Sequence, residues 1–172
     1  MKSSITTSLT GKLAPNFCLP TVGGHVCLSD YTGRRNVLLY FMSRFANSLA
    51  WRGIISLDAM YDSLQTQDTE ALVIGQGGYL GPATWLAAEL GLPFLFLSDL
   101  GGEVFRRYGL AEIDRRPPPV ATVLVDKQNI IRYVYLGVPP GAIIDATCLM
   151  NTLERLDFPL PLAPCVERRS HL

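Results

Sequence analysis

The chain has 172 residues, enough for one domain with a substantial buried core. It is 48% hydrophobic and only 17% charged, against about 25% charged in an ordinary soluble domain, so part of an apolar surface is expected to be covered by a partner, most simply a second copy in a homodimer. Fifteen basic residues cancel fifteen acidic ones, which leaves no electrostatic footprint for nucleic acid or an anionic membrane.

Residues 1–12 are rich in Ser and Thr and hold no apolar run of signal-peptide length, so a flexible N-terminal arm is expected. Phe17 and Leu19 alternate with smaller residues, a strand pattern. Gly23-Gly24 is a turn signal, and His25-Val26-Cys27-Leu28 returns as the second strand of a hairpin. Residues 37–42 form a near-continuous apolar run, the mark of a strand buried on both faces. The helix that follows carries Trp51, Ile54, Ile55, Leu57, Tyr61 and Leu64 on one face, with Asn47 or Ser48 as N-cap. Residues 71–74 read as another buried strand. A helix over 83–90 follows, opened by Pro82 and closed by Gly91. A short strand over 94–97 and a short helix over 103–108, ended by Gly109, come next. After a loop over 113–119, two strands at 120–125 and 130–136 flank the turn Asp126-Lys127-Gln128-Asn129. A last helix is expected over 142–156, and the Pro-rich, then charged, tail over 158–172 reads as extended. Parallel crossovers in the first half and an antiparallel hairpin in the second imply an α/β fold with a mixed central sheet. One domain spans 13–157.

The longest uncharged run, residues 71–88, is broken by four glycines and Pro82 within Gly75-Gln76-Gly77-Gly78-Tyr79-Leu80-Gly81-Pro82, which argues against a membrane span. A cytoplasmic protein is expected. The four cysteines, Cys18, Cys27, Cys148 and Cys165, fit no Cys-x-x-Cys or metal spacing. With His25 and His171 as the only histidines, no metal site is expected. Placing the turn at Gly23-Gly24 makes Cys18 and Cys27 diagonal neighbours, poorly set for a disulfide, and both read as small buried residues. Cys148 reads as core. The glycines from Gly75 to Gly81 miss the dinucleotide fingerprint because Leu80 stands where a glycine is needed, so no cofactor is expected. The loop at the strand end could still take a small ligand. Arg115-Arg116-Pro117-Pro118-Pro119 reads as a solvated loop.

Four stretches together resemble the peroxiredoxins, also called the alkyl hydroperoxide reductase/thiol-specific antioxidant family. They are Leu13-Ala14-Pro15-Asn16-Phe17-Cys18-Leu19-Pro20; Cys27-Leu28-Ser29-Asp30-Tyr31-Thr32-Gly33-Arg34; Gly91-Leu92-Pro93-Phe94 through Ser98-Asp99 with Tyr108-Gly109; and Val123-Leu124-Val125-Asp126-Lys127 with Ile131-Arg132-Tyr133. The resemblance covers residues 11–156. It implies a thioredoxin-like fold of the peroxiredoxin type, with an N-terminal β-hairpin and a mixed sheet flanked by helices. The activity it implies is thiol-dependent peroxide reduction, an antioxidant oxidoreductase function.

The family's motif, Pro-x-x-x-Thr-x-x-Cys at a strand-to-helix turn with an Arg on a later strand, falls here on Met42, Ala46, Leu49 and Val120. The Cys attacks peroxide as thiolate, and the Thr and Arg hold the oxygens and the developing charge. All four replacements are apolar. No cysteine occurs between Cys27 and Cys148, so a shifted alignment does not rescue a nucleophile. The expectation is a non-catalytic pseudoenzyme that acts as a binding or scaffold protein, with a protein partner or a small apolar ligand. The alternative is a peroxidase or redox sensor using a relocated thiol, Cys165, whose place near the C-terminus resembles that of the family's resolving cysteine.

Overall fold

The computed structural model describes residues 9–42, 48–77, 80–110, 120–137 and 144–156. The first strands, β1 (Cys18–Thr21) and β2 (Gly24–Cys27), pair antiparallel as a two-stranded ribbon. Their two-residue loop is Val22-Gly23, with Gly23 at a φ of 93° that a side chain would disfavour. The turn is therefore one residue earlier than the Gly-Gly signal suggests. That slip turns Cys18 and Cys27 from diagonal neighbours into direct partners.

A 3-10 turn over Leu28–Tyr31 leads into β3 (Asn36–Met42), and α1 (Ser48–Thr66) follows. Every residue of β3 is buried. It lies in the middle of a five-stranded sheet of order β5-β4-β3-β6-β7, with β4 (Thr69–Gln76) and β5 (Leu95–Asp99) parallel to it. On the other side β6 (Val120–Val125) runs antiparallel to β3, and β7 (Ile131–Gly137) antiparallel to β6. The remaining helices are α2 (Leu80–Glu89), α3 (Glu103–Arg107) and α4 (Ala146–Glu154). A mixed sheet flanked by helices, with an N-terminal hairpin, is the expected thioredoxin-like architecture.

Residues alternate across the sheet. Leu38, Tyr40 and Met42 pack on one side with Ile54, Leu57, Leu149 and Leu153, while Leu39 and Phe41 pack on the other with Phe17, Leu28, Phe105 and Tyr108. In α1 the inward stripe is Ile54, Leu57 and Leu64, with Trp51 and Tyr61 partly buried. Ile55, expected on that face, is 63% exposed, because one residue step turns it about 100° away from Ile54. The last helix begins at Ala146 rather than 142. Asp145 caps it by accepting a hydrogen bond from the Cys148 N–H at 2.9 Å, which satisfies a first-turn donor.

Candidate functional site

Parallel strands place their carboxyl ends at one edge of the sheet, and ligands of α/β folds gather there. Here that edge comprises Met42, Gln76 and Asp99, the last residues of β3, β4 and β5. Met42 faces Gly75 on one neighbour and Val120 on the other. Met42 is fully buried and Val120 is 2% exposed. Leu49 is the second residue of α1, the helix whose unpaired N–H groups would favour an anion. Ala46 lies outside the described residues, as do Arg115, Arg116, Pro118 and Pro119.

The structure thus brings Met42 and Val120 together as cross-strand partners at the end of β3. Met42 offers a thioether and Val120 only methyl groups. One register step deeper, Tyr40 faces Thr122. The Thr122 hydroxyl oxygen is buried with no hydrogen-bond partner among the described residues. Burial pushes the Tyr40 phenol well above its ordinary range, so it stays neutral at physiological pH. None of these four groups supplies a thiol or a positive charge.

The glycine-rich segment after β4 is held by β5. Ser98 donates its hydroxyl to the Gly77 carbonyl at 2.9 Å, and Gly77 N–H reaches the Asp99 carbonyl at 3.4 Å. Asp99, 3% exposed, accepts from the backbone N–H groups of Glu103 at 2.9 Å and Phe105 at 3.0 Å. Its carboxylate is thus occupied in fixing the start of α3. Gly78 lies outside the described residues.

The cysteines depart most from expectation. Cys18 and Cys27 form a disulfide across the β1–β2 ribbon, with Cα atoms 4.0 Å apart. Neither is a buried core residue, since Cys18 is exposed and Cys27 half-buried. The alternation explains this: Phe17 and Leu19 turn inward, so Cys18 faces out. Cys148 is buried, as expected, and it is also disulfide-bonded. Cys165 lies outside the described residues. Among the described residues no cysteine is free, and no cluster of three or more His, Cys, Asp or Glu could hold a metal ion. No described helix is long and apolar enough to cross a membrane.

The AhpC/TSA family model matches residues 10–134. The chain belongs to the AhpC/TSA family. Among its AhpC/TSA relatives, alkyl hydroperoxide reductase E of Mycobacterium tuberculosis is 32% identical over 154 residues, covering 85% of this chain and 96% of the relative. Peroxiredoxin 2 of Thermoplasma acidophilum is 24% identical, covering 86% of this chain and 76% of that one. Among solved structures, the reduced 2-Cys peroxiredoxin of Plasmodium vivax superposes with a TM-score of 0.71 at 23% identity, over 84% of this chain and 94% of that one. A putative thiol:disulfide interchange protein DsbE from Chlorobium tepidum superposes with a TM-score of 0.68 at 22% identity, over 84% and 97%. These structural likenesses establish the peroxiredoxin-type, thioredoxin-like fold. Met42 and Val120, onto which the resemblance maps two positions of the family motif, form a buried apolar pair in this chain.

Proposed function

We propose that this chain is an AhpC/TSA family member without peroxide chemistry at the end of β3, acting as a homo-oligomeric binding or scaffold protein. The observation that carries the reading is the Met42–Val120 pair, buried and apolar at the strand end, together with Leu49 in the first turn of α1. Reducing a peroxide there requires a sulfur nucleophile to take one oxygen and a cation or hydroxyl to stabilise the departing one. A buried thioether is a slow, unactivated substitute. Self-association is supported by the low charge content and by large apolar side chains on the surface, among them Trp85 at 66% exposed and Leu100 at 69%.

The test is steady-state reduction of cumene hydroperoxide with dithiothreitol as electron donor. Consumption at the rate of a protein-free control is the expected result. Turnover above that rate, lost in Cys165→Ser, would overturn the reading in favour of a relocated thiol. Sedimentation velocity on the same sample should show a species larger than the monomer.

A further inference from the structure

We propose that the Cys18–Cys27 pair on the N-terminal hairpin is a thiol–disulfide exchange site, open to low-mass thiols and dithiols and able to cycle without unfolding. The proposal does not depend on the loss of peroxide chemistry at β3, since exchange with a dithiol needs no peroxide.

Access is the first observation. Cys18 is exposed and Cys27 half-buried, on the ribbon face opposite to Phe17 and Leu19, which are 5% and 7% exposed. An attacking thiolate can therefore approach along the Cys18 side, and exchange rates follow access as well as thiolate fraction.

Retention is the second observation. The ribbon has other anchors. Phe17, Leu19 and Leu28 pack in the same cluster as Leu39 and Phe41. Leu28 N–H donates to the Phe17 carbonyl at 3.0 Å, Ser29 N–H to Asn16 Oδ1 at 3.1 Å, and the Thr21 hydroxyl to the Phe96 carbonyl of β5 at 2.8 Å. With the ribbon pinned at both ends, the two thiols stay opposed after reduction, and closure is intramolecular at a high effective concentration. The bridge also spans only nine positions in sequence, a short loop whose constraint adds least to stability.

The step balances as follows. A thiolate attacks the Cys18 sulfur, forming a mixed disulfide while the Cys18–Cys27 bond breaks and Cys27 leaves as thiolate and takes a proton. A second thiol, or the other arm of a dithiol, attacks the incoming sulfur and releases Cys18. Two electrons enter the protein, and the donor leaves as its disulfide. Oxidised glutathione reverses the sequence.

The test uses the full-length folded protein in dithiothreitol or glutathione redox buffers, quenched and alkylated, with peptide mass mapping that reads Cys18 and Cys27 separately from Cys148. In the expected result, Cys18 and Cys27 go from unlabelled to almost fully labelled in millimolar dithiothreitol while the circular dichroism spectrum is unchanged. The pair then closes again with oxidised glutathione. Cys27→Ser should accumulate a glutathione adduct at Cys18. Labelling that appears only once urea has unfolded the chain would overturn the proposal, and so would a folded Cys27→Ser protein that takes up no glutathione. If Cys27→Ser does not fold, the wild-type titration still decides.

Discussion

Met42 and Val120 lie directly opposite each other across the β3–β6 pair, both removed from solvent, at the point where the central strand delivers the chain to α1. They make the end of β3 continuous with the core beneath it. Leu38, Tyr40 and Met42 on one strand, and Val120 and Leu124 on its neighbour, belong to a single packed cluster with Ile54 and Leu57. This end of β3 thus behaves as hydrophobic interior, and its stability is the property to measure.

Met42→Ala should expose that role. Truncating a fully buried methionine removes transfer energy and leaves a cavity, a loss of about 2–5 kcal/mol. Urea unfolding should show the midpoint falling with an unchanged m-value. A loss below about 1 kcal/mol would mean that the corner is loosely packed and closer to a pocket than to a core.

Rebuilding the family motif should fail one residue at a time. Leu49→Cys places a thiol in the first turn of α1, and neither Met42 nor Val120 at the end of β3 supplies a cation. The new thiol should therefore react with hydrogen peroxide at the rate of an ordinary unactivated thiol, read as sulfenic acid formation by mass. Val120→Arg puts a guanidinium at a position 2% exposed with no acid among its cross-strand partners, Met42 and Gly137. An unpaired buried charge should cost about 3–5 kcal/mol. A fast-reacting Leu49→Cys, or a fully stable Val120→Arg, would show that the site retains its polar support.

Thr122 offers a test in the opposite direction. Its hydroxyl is buried without a partner among the described residues, and such a group costs about 1–3 kcal/mol of desolvation with no bond in return. Thr122→Val keeps the shape and removes the polar atom, so unfolding in urea should shift to higher concentration by the equivalent of about 1 kcal/mol. A destabilised variant would indicate that the hydroxyl is satisfied in solution.

Much of the fold was legible because its signals are local. The run at residues 37–42 reads as a strand buried on both faces, and all of β3 is buried. Gly91 and Gly109 close α2 and α3 at φ values of 66° and 65°, as terminal glycines should. Tertiary choices were less legible. Either Val22-Gly23 or Gly23-Gly24 satisfies the local turn chemistry, and both leave Phe17, Leu19 and Leu28 on one face, so the apolar pattern does not choose between them. One step of register then decides whether Cys18 meets Cys27, so the disulfide was lost with the turn. At α4 the apolar pattern through Ile143-Ile144 extends the apparent helix, whereas the capping bond of Asp145 marks its start. The Asp-Ala-Thr-Cys sequence held that signal, since Asp is a favoured N-cap.

Alkaline pH should unfold the protein through its buried tyrosines. Tyr40, Tyr108 and Tyr133 all have phenols pushed above the ordinary value of 10.0, chiefly by desolvation, with Asp145 adding to the effect at Tyr133. Above pH 10 the unfolded chain loses these protons while the folded chain keeps them, so the unfolded state binds fewer protons and stability falls as pH rises. The contribution is intact below the unfolded value and is lost as pH climbs towards the folded ones. Three such groups give a limiting slope of about 4 kcal/mol per pH unit, at about 1.36 for each. Tyr108→Phe separates the terms. The Tyr108 hydroxyl donates to the Pro15 carbonyl at 3.0 Å, so the variant should lose about 1 kcal/mol at neutral pH. It should also show about two-thirds of the wild-type alkaline slope. An unchanged slope in Tyr108→Phe would mean that this phenol ionises in the folded protein as it does in the unfolded chain.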